Sequence, residues 1–156
     1  MKTSNNEAFY WFTRRFSDIN LEPVWLNKRA FLMSDTLKEF ANKYTQPIES
    51  AGRYLGKVKG KKFEPSVTLI DVLSKSSDKK LVINKNAEWL FLCGRDLFTS
   101  SILSFTPPIK KGSWMLIQND QDENLGYGEV NASLTFGKKD VVGNLLDRGD
   151  FLRREK

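Results

Sequence analysis

Apolar residues keep a three-four rhythm at the start of the chain. Ala8, Trp11 and Phe12, and the series Phe9, Phe12, Phe16, fall on one side while Arg14 and Arg15 face away, which predicts a helix over residues 7–17. Pro23 blocks its continuation. Residues 24–26 and 30–33 read as short strands around an Asn27-Lys28-Arg29 turn. Ser34 suits an N-cap with Asp35 in the first turn, opening a second helix whose apolar stripe is Leu37, Phe40, Ala41 and Tyr44. Pro47 ends that region. Residues 52–63 suit a strand pair turning at Lys59-Gly60, and Ser66 opens a third helix that buries Leu69, Ile70 and Leu73. The polar stretch 75–80 reads as a linker.

Beyond it the texture changes. Residues 81–83 form a short strand, and Asn86 caps a brief helix through Leu92 that ends at Gly94, a residue suited to positive φ. Residues 97–105 and 114–117 read as strands, separated by a rigid Pro107-Pro108 break. An acidic loop at 119–124 leads into a strand over 125–130 that contains Gly126 and Gly128, and glycines inside a strand mark a bend or close backbone approach. Residues 141–146 close the set. Several short strands with one small helix predict a compact β-barrel. The expected fold class is therefore α+β. A small N-terminal α/β domain over 1–76 is followed by a small β-barrel domain over 77–156.

Charge and composition narrow the chemistry. The chain has 156 residues and a net charge of +6, from 25 Lys+Arg against 19 Asp+Glu. Such an excess favours polyanions, because phosphate binding releases counterions, although it also serves plain solubility. Residues 1–76 hold 13 basic and 8 acidic residues, and residues 77–156 hold 12 and 11, so a basic site in the second half has to be a local patch. There is no histidine and one cysteine, Cys93, which removes the commonest general base and zinc ligand and any disulfide framework. Cys93 is expected to pack as a small apolar residue. Phe9, Trp11, Phe12, Phe16, Trp89, Phe91 and Trp114 are expected in the core, with Tyr127 open. No apolar run is long enough to span a membrane, and the start of the chain lacks a secretory signal. The expectation is a cytoplasmic, non-catalytic protein with no cofactor and no metal.

Several segments carry a resemblance. Asn86-Ala87-Glu88, the Leu92-Cys93-Gly94-Arg95-Asp96 turn, Lys111-Gly112 and Leu125-Gly126-Tyr127-Gly128 resemble, in order and spacing, a PUA domain, the small RNA-binding barrel of pseudouridine synthases and archaeosine transglycosylases. Tyr54-Leu55-Gly56-Lys57, residues 66–77, residues 125–133 and residues 147–153 make the whole chain similar to the ribosome-biogenesis factor family called Nip-seven, in a compact, archaeal-type form. The match is good over 28–98 and 112–154 and poor over 1–20. The resemblance implies that the C-terminal domain, 77–156, is a PUA-type β-barrel that binds RNA, with a role in large-subunit ribosome biogenesis and pre-rRNA processing, assembly-protein partners for the N-terminal domain, and a nucleolar location if the source is eukaryotic.

The candidate RNA-binding residues are then Arg148, Arg153, Arg154 and Lys156 at the C-terminus, with Arg153 and Arg154 foremost because they sit in the matching Leu-Arg stretch. An exposed helix end paired with Asp147, Asp150 or Glu155 is the structural alternative. Lys110, Lys111, Lys138 and Lys139 extend the track if the barrel brings their loops beside the C-terminus. Gly94 and Arg95 sit where RNA approaches the helix-to-strand turn of such domains. Arg53, Lys57, Lys59, Lys61 and Lys62 form the densest basic run. They are either a second RNA contact or protection of an edge strand, with Lys57, Lys59 and Lys61 alternating onto one face. Two other functions stay open: an RNA-modification enzyme or its substrate-binding subunit, and a protein-interaction scaffold whose barrel no longer binds RNA. The first lacks a third glycine for a dinucleotide loop and any P-loop pattern.

Overall fold

The computed structural model describes residues 4–106, 110–131 and 142–154. The chain divides into two compact units, Met1–Leu73 and Ser74–Lys156. The Pro107-Pro108 break lies outside the described residues.

In the first unit, α1 (Asn5–Thr13) begins two residues before the expected start. The cause is a capping box: Ser4 Oγ accepts from Glu7 N (3.1 Å) while Glu7 Oε2 accepts from Ser4 N (2.7 Å). Phe9, Phe12 and Phe16 are buried as their spacing predicts, but Trp11 is 58% exposed, with the Arg15 guanidinium over its ring at 4.1 Å. Strands β1 (Val24–Leu26) and β2 (Arg29–Leu32) flank the expected turn. Ser34 caps α2 (Asp35–Lys43) by accepting from Leu37 N. The stripe expected on α2 is not buried. Phe40 is 60% exposed and Tyr44 half exposed, and they stack on one another at 5.6 Å. Hairpin β3 (Arg53–Lys59) and β4 (Lys62–Pro65) completes a four-stranded antiparallel sheet ordered β1-β2-β3-β4. In α3 (Val67–Ser74), Leu69, Ile70 and Leu73 are buried. Phe63 of β4 packs on Phe9 and Phe12, centroids 5.2 and 5.8 Å apart, which ties α1 to the sheet.

The second unit starts with β5 (Lys80–Ile83) and α4 (Lys85–Leu92). The cap of α4 is Asn84, not Asn86, since its Oδ1 accepts from Ala87 N at 2.9 Å. Residues 97–105 are not one strand. Leu97 makes a lone bridge to Val142, residues 99–101 form a 3-10 turn, and β6 (Ile102–Phe105) follows. Then come β7 (Trp114–Gln118), β8 (Asn124–Val130), β9 (Val142–Asp147) and α5 (Asp150–Arg154). The sheet order is β6-β5-β7-β8-β9, with β5 and β7 parallel and every other pair antiparallel. Leu81, Ile83, Phe91, Leu97, Ile117 and Val142 are completely or nearly completely buried in its core.

A Cβ at Gly126 would meet the Leu146 carbonyl oxygen, so β8 and β9 come closer there than a side chain allows. Tyr127 is buried against Trp114. Trp89, expected inside, is 71% exposed on the outer face of α4, and Cys93, just past the end of that helix, is exposed as well. The architecture is α+β, a small unit around a four-stranded sheet followed by one around a five-stranded sheet. Among the described residues, no helix is long and apolar enough to cross a membrane, and no cluster of His, Cys, Asp and Glu is suited to a metal ion.

Candidate nucleic-acid interface

The end of β9 organises the C-terminal face. Asp147 is its last residue and is 1% exposed. A carboxylate so deep has to be fully bonded. Its Oδ1 accepts from Gly149 N (2.8 Å) and Arg153 Nη1 (2.9 Å), and its Oδ2 accepts from Arg153 Nη2 (2.7 Å) and Asn144 Nδ2 (3.0 Å). The bond to Gly149 turns the chain from β9 into α5, and that turn brings Arg153 back onto Asp147.

Arg153 also reaches α4. Its Nη1 donates to the Leu92 carbonyl at 2.6 Å, satisfying an oxygen the helix end leaves open. Its guanidinium lies over Gly94, whose φ is +86° and where an added Cβ would stand 3.1 Å from Cζ. Asn144 Nδ2 donates to the Phe91 carbonyl at 2.9 Å, and Asn144 N donates to Asp96 Oδ1 at 2.8 Å. The turn after α4, β9 and α5 are thus laced into one block. The hydrogen bond to Asp147 holds the Arg153 guanidinium above its ordinary value.

The sequence candidates separate accordingly. Arg153 is turned inward as a clasp. Both terminal nitrogens have partners within the fold, and 38% of the side chain is exposed. Arg154 points out, 76% exposed, with Asp150 at 2.8 Å one helical turn back. Arg95 is exposed one residue beyond the Gly94 contact, and exposed Arg148 donates from Nε to the Asn124 carbonyl. Gly94, Arg95, Arg148, Arg153 and Arg154 therefore belong to one end of the unit. Lys110 and Lys111 are exposed but do not join them. They sit in the turn beside Val130, at the far end of β8 from Asn124. The seven residues of β8 span roughly 20 Å at about 3.4 Å per residue. The expected continuous track is broken by that register. Lys138, Lys139 and Lys156 lie outside the described residues.

In the first unit, Lys57 and Lys59 alternate onto one side of β3 as expected, and both approach Glu64, at 3.8 and 3.6 Å. Lys61 falls in the turn beyond β3, so it does not continue that face, and Lys62 stands opposite Lys59. Arg53 is exposed opposite Leu32. Asp147 is the residue that sequence reasoning undervalued. An Asp two residues before a glycine, where a strand ends and a helix begins, signals a side chain folded back onto the backbone.

Comparison with known proteins agrees with this architecture. A UPF0113 protein of Archaeoglobus fulgidus is 33% identical over 111 residues, 68% of this chain; the chain spans 63% of that relative's length. A conserved PUA domain protein from Thermoplasma acidophilum superposes with a TM-score of 0.62 at 18% identity, over 96% of this chain and 93% of that one. A hypothetical protein of the hyperthermophilic archaeon Pyrococcus horikoshii gives 0.56 at 15% identity, over 97% of this chain and 96% of its own. Residues 79–156 match the UPF0113 PUA domain. The chain belongs to the UPF0113 PUA domain family.

Proposed function

We propose that this protein binds single-stranded RNA without catalysing a reaction, through the C-terminal face of its PUA unit, as a Nip-seven-type factor in large-subunit ribosome biogenesis and pre-rRNA processing. The observation that carries the reading is the block formed by α5, β9 and the turn after α4. Arg153, clasped on Asp147, holds Gly94 against α5, so that Arg95 and Arg154 flank one contact. Arg95, Arg148 and Arg154 offer guanidinium groups that pair with phosphates or stack on unpaired bases. Gly94, with no side chain, lets a strand approach the backbone. Arg153 serves as a positioning residue in this reading and Lys110 and Lys111 as peripheral cations. The N-terminal unit is assigned to assembly proteins, and the exposed Phe40–Tyr44 stack of α2 supports that assignment.

The test is crosslinking of the protein to RNA in cells, read at nucleotide resolution. Large-subunit rRNA or its precursor should be recovered, with crosslinked peptides from 92–96 and 148–154. Recovery of no RNA would favour the scaffold alternative, and turnover on ribosomal RNA with a common cofactor would favour the enzyme.

A further inference from the structure

The N-terminal unit holds a concentration of cations that the C-terminal face does not use. Lys28 on the β1–β2 turn, Arg29 at the start of β2 and Lys57 and Lys59 on β3 line one pocket, with Leu26 and Val58 also in its lining and Glu49 as its one acidic lining residue. The strands create this convergence. Asn27 adopts a left-handed φ of 57°, which makes the turn tight. The Lys28 carbonyl accepts from Val58 N at 2.9 Å, which laces that turn onto β3.

The register then places Arg29 directly opposite Lys57, and Lys57 opposite Glu64 on the next strand. Residues directly opposite share a sheet face, and like charges in that position are destabilising. Glu64 is one carboxylate between two lysines, and it lies on the β4 side, across β3 from Arg29. A fold under no other demand gains nothing by facing Arg29 with Lys57. An anion seated between them removes the repulsion.

We propose that this pocket is a second phosphate site, holding the phosphodiester backbone of RNA. The Arg29 fork suits two phosphate oxygens, the ammonium groups of Lys28, Lys57 and Lys59 supply further charge, and Leu26, opposite Arg29 on the neighbouring strand, takes the apolar edge of a ribose. Lys57 and Lys59 recur roughly 7 Å apart along the strand, on the scale of successive nucleotides in an extended chain. Only the choice of RNA as the phosphate donor rests on the function proposed above.

The test is NMR of the labelled full chain titrated with an oligouridylate of about ten nucleotides, and separately with inorganic phosphate at equal phosphate concentration. At saturating oligouridylate the amides of 27–29 and 57–59 should move in the wild type and still move in an Arg95→Glu/Arg154→Glu variant, in which those of 92–96 and 148–154 no longer respond. Lys28→Glu/Lys59→Glu should abolish those shifts and flatten the dependence of log affinity on log salt by about 1.4, two contacts at roughly 0.7 each. Lys28→Gln/Lys59→Gln, which introduces no new charge, should act in the same direction. Still amides in this pocket while those of 92–96 and 148–154 move would overturn the proposal and leave the C-terminal reading standing. The reverse pattern would leave this site standing and defeat the C-terminal one, and stillness at both defeats both. Shifts that survive in both lysine variants, or inorganic phosphate moving these amides as far as the oligouridylate does, also overturn it.

Discussion

Arg153 closes both terminal nitrogens on the carboxylate of Asp147, at 2.9 and 2.7 Å, and that carboxylate is almost completely buried. The pair joins the end of β9 to α5, and through the Leu92 carbonyl it joins α5 to α4. A residue that reads in sequence as the foremost phosphate ligand is therefore committed to the fold. Outward charge at this end falls to its neighbours Arg154, Arg95 and Arg148.

Removing the clasp should cost stability first. Arg153→Ala leaves Asp147 charged and buried, with Gly149 N and Asn144 Nδ2 as its remaining donors. Losing one partner of a buried pair costs about 3–5 kcal/mol. Because 38% of the Arg153 side chain faces water, roughly 2–3 kcal/mol is expected here. Arg153→Lys should recover only part of this, since an ammonium cannot bridge both oxygens in the plane of the fork. Urea denaturation of the three proteins measures the order.

Gly94→Ala adds a Cβ beneath that guanidinium at a φ of +86°. The strained backbone and displaced fork should together cost roughly 1–3 kcal/mol, and RNA affinity should fall more than for a substitution on α4 itself. Comparison with Trp89→Ala, on the exposed outer face of that helix, separates local from general effects.

Gly126→Ala should be more severe. The new methyl meets the backbone carbonyl of Leu146, and backbone cannot swing aside as a side chain can. A loss of at least about 3 kcal/mol is expected from combined overpacking and strain, visible as a collapse of soluble yield or of the denaturation midpoint.

Tyr54 supplies a pH dependence. Burial, the largest cause, raises its phenol above the usual value, outweighing the lowering by Arg29. The folded state then keeps a proton that the unfolded chain releases near pH 10. The associated stability is intact below about pH 10 and is lost as pH climbs toward the folded value. Absorbance titration of the tyrosines in the wild type and in Tyr54→Phe should show the late-titrating phenol missing from the variant.

Much of the fold was legible because local signals agreed with packing. Ser34 as a cap, the buried Leu69, Ile70 and Leu73 of α3, and the glycine turn at Gly94 all follow from short-range chemistry. The misses share a cause, since an apolar residue in a helical pattern does not say what covers it. Trp11, Phe40, Tyr44 and Trp89 keep the period of a core face and still stand exposed. The grouping of the candidate residues was legible in outline, since Gly94, Arg95 and the described C-terminal arginines lie at one end of the second unit. Which arginine turns inward depends on Asp147 being buried, and the separation of Lys110 and Lys111 depends on the β7–β8 register. Both are tertiary facts that neither charge nor spacing encodes.

Binding of the purified protein to oligouridylate across a salt series, beside Arg95→Glu/Arg154→Glu, decides whether the C-terminal face holds RNA. The wild type should bind at low ionic strength, with log affinity falling against log salt by about 0.7 per phosphate contact. The variant, folded to the same denaturation midpoint, should bind at least about tenfold more weakly with a shallower slope, as loss of roughly two contacts requires. Equal affinity and equal slope in the two proteins would rule out the C-terminal face as the RNA site.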